Sequence, residues 1–312
     1  VAAGEERALD LQQLRCFVAV ADELHFGRAA QRLEMLPAAL GRFVRLLEES
    51  LGVDLFVRTT RSVALTVVGA DLVEQARRIV ADADALAVRA RVQSRMTATT
   101  LRIGAIDSAG AGLLPMLLQD FRTTHPDIAV QIVEDKTIRL LPRLLSGRLD
   151  LAFVRPPDHR DAALHFEPLL HETAVVAMPT DHRLATAPSV AVADLADALL
   201  IVPDRRSRPH SHDLTIKLFA EAGITAHISQ AADEKQTIVN LVAAGLGLAI
   251  VPRWTSSIGV QSVAFVPVLS ASGAPIRRLP LAAAYPRDVR DPVRGMMLET
   301  LHRNLERYAA SA

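Results

Sequence analysis

LQQLRCFVAVADELHFGRAAQRL (residues 11–33) and, after a short turn, PAALGRFVRLLEESLG (residues 37–52) decide the fold of the N-terminal part. Leu11, Leu14, Phe17, Val18 and Ala21 recur at helical spacing and predict a first helix. His25-Phe26-Gly27 interrupts it, and Arg28 to Leu33 makes a short second helix carrying Ala29 and Ala30. After a turn at Glu34 to Leu36, Pro37 suits the first turn of a third helix, where its missing N–H costs nothing. Leu40, Val44, Leu47 and Leu51 share one face of that helix, and Gly52 is a good C-terminal stop. Two short helices, a tight turn and a third helix predict a helix-turn-helix.

Working outward, DLFVR (54–58) and VALT (63–66) read as two short strands around Thr59-Thr60-Arg61-Ser62, a polar hairpin placed as a wing. Thr66 then caps a helix running to about Arg95. Leu72, Ala76, Ile79, Ala83, Leu86 and Ala90 fall near heptad spacing along it, a seam suited to a partner helix in a dimer or to the helix's own domain. From Leu101 strands and helices alternate: 101–106 strand, 111–124 helix, 129–134 strand, 138–146 helix, 149–154 strand. That run predicts a parallel, doubly wound sheet. A second run follows, with strands at 172–178, 199–202, 226–229 and 248–251 and helices at 213–223 and 237–245. A strand at 281–285 and a helix at 292–308 close the chain. The reading is an α/β protein: a winged helix-turn-helix over 1–66, a linker helix over 67–97, and a two-lobe domain over 98–312. Lobe 1 takes about 98–167 and 269–312, lobe 2 about 168–268.

Composition narrows the class. Half of the 312 residues are hydrophobic and only 4% aromatic, which suits a helical or α/β protein. No apolar run is long and charge-free enough to span a bilayer, and Glu5, Glu6 and Arg7 stand where a leader would be apolar. With one cysteine, Cys16, no intrachain disulfide forms, and its apolar helical setting marks a buried thiol. These features predict a cytoplasmic protein without membrane partners. Thirty-five basic and 35 acidic side chains cancel, so any contact with nucleic acid rests on a local field. No phosphate-binding glycine loop, nucleophile elbow or His/Asp/Ser set is present, so neither an enzyme nor a bound cofactor is expected. His210, His212 and Asp213 have passable metal spacing, but Arg205, Arg206 and Arg208 crowd them, and no metal is expected.

The stretch 11–33 and the stretch LLEESLGVDLFVRTTRSVALT (46–66) resemble the opening of LysR-type transcriptional regulators. Arg102-Ile-Gly104, Ser146 to Arg155 and Leu241 to Pro252 are similar to the periplasmic-binding-protein-like effector domain of that family. The resemblance implies a DNA-binding regulator of transcription, a homo-oligomer (dimer or tetramer) that works with RNA polymerase and responds to a small effector. A constitutive architectural DNA binder, whose C-terminal half only oligomerises, is the alternative. One departure stands out: members usually open the recognition helix with Ser-Gln or Thr-Gln, whereas here Leu36 and Pro37 stand there and Gly41 replaces a common serine.

Few base-edge donors remain on the third helix. Arg42 is expected to contact a base and Arg45 a phosphate, although either can be a solvated surface arginine. Arg28 can meet a phosphate beside the N-terminal amides of its helix, and Arg58 and Arg61 flank the wing tip with Thr59 and Thr60. In the sensing half, the first βα loop is Asp107-Ser-Ala-Gly-Ala-Gly112, where Gly110 lets backbone approach a ligand and Ser108 adds a hydroxyl. Thr137 begins the next helix and Arg155 ends the third strand, so all three can face one crevice. The loops from Pro203 to His212, with His210, and from Glu234 to Thr237, with Gln236, oppose them. Ala152 to Pro157 and Gln236 to Gly245 resemble the branch that senses aromatic acids and muconate-like dicarboxylates. That implies a carboxylate effector held by residues aligned with Ser108, Thr137 and Arg155. Ser108 as a helix cap and Arg155 in an ion pair are the plainer alternatives, and an acid at Asp107 would repel an anion.

Overall fold

The computed structural model describes residues 9–33, 35–58, 62–94, 100–270 and 272–312. The chain divides into two compact units, Val1–Met96 with Leu141–Arg148, and Thr97–Leu140 with Leu149–Ala312.

In the first unit, Asp10 caps α1 (Leu11–Glu23) by accepting from the Gln12 N–H at 2.8 Å. His25 Nδ1 accepts from the N–H groups of Gly27 and Arg28 at 3.0 and 3.3 Å and opens α2 (Phe26–Arg32). Pro37 starts α3 (Pro37–Leu51) without a side-chain cap, and Gly52, at φ +69°, ends it. The strands β1 (Phe56–Arg58) and β2 (Val63–Leu65) pair antiparallel, with Phe56 opposite Leu65. Thr66 Oγ1 accepts from the Gly69 N–H at 2.9 Å to cap α4 (Val67–Ser94) and donates to the Asp54 carbonyl.

One apolar core joins these elements: Leu14, Phe17, Val20, Ala29, Leu40, Val44, Leu47, Leu55, Phe56, Val73 and Ala76. Each large side chain buried there contributes about 1.5–3 kcal/mol. Burial also pushes the Cys16 thiol up to about 11, so it stays protonated. The start of α4 therefore packs on its own domain, and Ala76 belongs to that core, while Ile79 and Leu86 stay exposed. Gly69 permits the close approach, because a Cβ there would lie 2.2 Å from the Leu55 carbonyl oxygen.

The second unit holds β3 (Thr100–Ala105), α5 (Asp107–Ala111), α6 (Leu113–Thr124), β4 (Ala129–Glu134), residues 137–140 of α7 (Thr137–Leu145) and β5 (Leu151–Val154). Then come β6 (Leu164–Pro179), β7 (Val190–Ala191), β8 (Leu199–Pro203), α8 (Pro209–Glu221), β9 (His227–Ala232) and α9 (Lys235–Ala243). β10 (Ala249–Pro252), β11 (Val263–Leu269), β12 (Arg277–Pro286) and α10 (Pro292–Ser311) complete it. The main sheet runs β4-β3-β5-β12-β6-β11-β7 with β10 also on β6, and β8 pairs with β9. β3, β4 and β5 are parallel, as are β8 and β9.

Four expectations are corrected here. The sheet is mixed, because β12 runs antiparallel to both β5 and β6. β6 begins at Leu164 and not near Glu172, and its first ten residues pair with β12 before its last six pair with β10 and β11, so one strand serves both lobes. Pro168 hid the first half: it lacks an N–H, and the ladder shifts register beside it, between Leu281 and Ala282. β11 was missed altogether, since Val263-Ala-Phe-Val-Pro267 carries a proline in a short apolar run. Finally, Asp107–Gly112 is not an open glycine loop. It is the helical turn α5 followed by a break at Gly112, and His210 and His212 likewise sit in α8.

Candidate functional site

The exposed face of α3 is narrow. Leu40, Val44 and Leu47 are buried, which turns Pro37, Ala38, Arg42 and Arg45 outward, with open space around Gly41. Arg28 is half-exposed, and its guanidinium is held at the end of α1 by the Glu23 carboxylate (3.2 Å) and the Glu23 carbonyl. Glu48, not anticipated from the sequence, ties α3 to β1, its Oε1 accepting from the N–H groups of Leu55 and Phe56 at 3.0 and 3.3 Å. Arg58 ends β1. Thr59, Thr60 and Arg61, expected at the wing tip, lie outside the described residues.

At the ends of β3 and β5, three expected residues come together. Arg155 donates through one terminal nitrogen to the Leu279 and Pro280 carbonyls at 3.0 and 2.9 Å. Through the other it reaches Ser108 Oγ at 3.3 Å and the Glu172 carboxylate. Its backbone N–H donates to Thr137 Oγ1 at 3.2 Å. Ser108 Oγ in turn donates to Glu172 Oε2 at 3.0 Å. Glu172, fully buried, was not foreseen as a partner, and it already matches the guanidinium charge.

A second cluster joins residues that follow β3 and β4 to residues that follow β8 and β9. The Asp107 carboxylate accepts from Lys235 Nζ at 3.1 and 3.2 Å and from a terminal nitrogen of Arg208 at 3.0 Å. Burial alone would raise the Asp107 acid, but Lys235 and Arg208, with the Lys235 hydrogen bond and the Ser108 N–H, outweigh it and hold it at about 2. Burial pushes Lys235 below its ordinary value, against the pull of Asp107. Lys136 bridges the same gap to Asp233 (3.0 Å) and Glu234 (3.3 Å). Arg208 also holds the Asp233 carbonyl and Glu234.

The remaining expected residues are more scattered. Gly110 lies in α5, where a Cβ would come 2.9 Å from Glu134 Oε2. Pro203 ends β8, buried, with its carbonyl 2.9 Å from His212 Nδ1. Burial, and then Arg155 nearby, push the His210 imidazole below its usual value. Gln236 is exposed and bonds along α9 to Asn240 at 3.2 Å, so its neighbour Lys235 is the residue that turns inward. Among the described residues no group of three or more His, Cys, Asp or Glu is arranged to hold a metal. No helix among them is long and apolar enough to cross a membrane.

Residues 11–70 match the bacterial regulatory helix-turn-helix protein, lysR family, and residues 94–306 match the LysR substrate binding domain. The chain is 55% identical over 304 residues to the HTH-type transcriptional regulator TtuA of Agrobacterium vitis, covering 97% of this chain and all of that one. The solved structure of full-length CbnR complexed with its target DNA is similar, at 25% identity and TM-score 0.57, over 95% of this chain and 100% of that one. So is the BenM effector binding domain with its effector benzoate, at 27% identity and TM-score 0.58, over 68% and 94% of the respective chains. With a helix-turn-helix half and a two-lobe half both matched, the chain belongs to the LysR family: it is a DNA-binding transcriptional regulator with an effector-binding domain, not an enzyme.

Proposed function

We propose that this regulator senses a small organic acid between its two lobes and answers by changing how a homo-oligomer occupies a promoter. The observation that carries the reading is the convergence of Ser108, Thr137 and Arg155 at the strand ends, opposite the cations Lys235 and Arg208. Strand ends and helix N-termini of an α/β sheet are where such domains take ligands. Gly110, Pro203, His210 and Gln236 complete the proposed lining, with Gln236 at the rim. The benzoate in the BenM domain supports an aromatic or muconate-like acid as the effector class.

On the DNA side, Arg42 reads a base, Arg28, Arg45, Arg58 and Arg61 hold phosphates or a narrow groove, and Pro37, Gly41, Thr59 and Thr60 line the contact. Residues 1–66, 67–97 and 98–312 serve as reader, dimerising linker and sensor. Exposed Ile79 and Leu86 on α4 support a dimer or tetramer, which acts on RNA polymerase at cytoplasmic promoters. The effector class is tested by a thermal-shift screen of the full-length protein against benzoate, cis,cis-muconate and short dicarboxylates, with labelled upstream DNA as second readout. At least one acid is expected to stabilise the protein and alter its DNA complex. No response to any of them at millimolar concentration would remove the carboxylate reading.

A further inference from the structure

The two positive centres near the cleft are not equivalent. Arg155 spends both terminal nitrogens on two carbonyls, Ser108 and a fully buried Glu172. Recruiting it to a ligand would strand Glu172, and an unpaired buried carboxylate is strongly unfavourable. Lys235 and Arg208 differ. Among the described residues Asp107 is the one carboxylate that both hold, reaching them from the opposite lobe at 3.0–3.2 Å, while Arg208 keeps the more exposed Glu234 at 3.2 Å as a further partner. All three side chains are largely shielded, with 5%, 10% and 13% exposure for Lys235, Arg208 and Asp107. A free carboxylate of similar size would satisfy the same cations once the Asp107 side chain, which unlike Glu172 is partly exposed, turns out to solvent.

We propose that Lys235 and Arg208 are the anion-recognising pair of the sensing cleft, and that Asp107 is a tethered internal anion that holds their place and latches the lobes until an effector carboxylate displaces it. The proposal rests on the carboxylate reading above and adds to it both the recognising residues and the switch. Because Asp107 follows β3 while Arg208 and Lys235 follow β8 and β9, replacing its carboxylate by a free one removes a covalently anchored link between the lobes. The ligand thus acts differently on latched and unlatched arrangements, which is the condition for shifting their populations. It also resolves the difficulty of an acid at position 107 in a site for acids: the two carboxylates take turns.

The test is chemical rescue with acetate as the probe. Full-length wild type, Asp107→Ala and Asp107→Ala/Lys235→Met are melted while acetate replaces chloride at constant ionic strength. Asp107→Ala should melt below wild type and be restored saturably, with a rise of roughly 3–6 °C at acetate about tenfold above its dissociation constant. Wild type and the double variant should not respond. If alanine prevents folding, Asp107→Ser opens most of the same space while keeping an acceptor for the Ser108 N–H, and acetate must still raise its midpoint more than it raises that of wild type. A response no larger than wild type's, or one that survives loss of Lys235, would overturn the proposal. The outcome is independent of the effector screen. Rescue without any active acid in the screen would spare the latch and sink the effector class, and the reverse result would do the opposite.

Discussion

At the residue scale, the cleft shows how a helix phase decides which neighbour acts. In α9, Lys235 shares a face with the buried Ile238, Val239 and Val242, whereas Gln236 points to solvent. The same i, i+3, i+4, i+7 spacing is present in the bare sequence and would have singled out Lys235. Glu172 was legible in another way: a lone acid heading the apolar run Thr173 to Met178 needs a buried partner, and Arg155 is that partner. Two predictions belong here. Arg155→Ala should destabilise the protein by about 3–5 kcal/mol in urea unfolding, because Glu172 is left buried and unpaired; a loss below about 1 kcal/mol would refute that account. Asp107, held at about 2 against 3.8 when unperturbed, contributes stability that is complete above its unfolded pKa and lost as pH falls through the folded one. The gap in stability between wild type and Asp107→Asn should therefore be widest above about pH 5 and close between about pH 4 and 2. A gap constant across that range would contradict the ion-pair assignment.

At the element scale, the helix-turn-helix was readable nearly residue by residue, because its helices carry clear apolar faces, a proline start and a glycine stop. What the pattern could not reveal is contact made by polar atoms across elements, such as Glu48 binding the backbone of β1. Long mixed strands were also obscured, since β6 alternates only weakly and carries Pro168. α3 offers a clean separation of folding from binding. Nothing lies within 4 Å of a Cβ built on Gly41, so Gly41→Ala should stabilise α3 by about 0.5–1 kcal/mol. If that open face is the DNA contact, the same variant should bind operator DNA less well despite melting higher; unchanged DNA affinity would move the contact elsewhere. Arg42→Ala should cost about 1–3 kcal/mol of discrimination between operator and scrambled DNA. Arg45→Ala should weaken both alike and flatten the salt dependence by about one phosphate contact.

At the scale of the whole molecule, domain order and class followed from motif and texture, and the two family matches cover most of the chain. The mode of assembly was only partly legible. The heptad-like seam of α4 is divided, with Leu72 and Ala76 packing on the DNA-binding core and Ile79 and Leu86 left on the surface. Ile79→Glu/Leu86→Glu should therefore lower the oligomeric state in sedimentation without unfolding the helix-turn-helix, and an unchanged sedimentation coefficient would place the interface elsewhere. The central claim joins sequence-specific DNA binding to a ligand in the cleft. Its most direct test is an anisotropy titration of the full-length protein on DNA from upstream of its own gene and on a scrambled duplex, at several salt concentrations, with and without the acid that stabilises it most. The account predicts much tighter binding to the upstream DNA, a steep salt slope, and a shift in affinity or complex size when the acid is added. Equal, weak binding to both duplexes, unaltered by any acid, would contradict it.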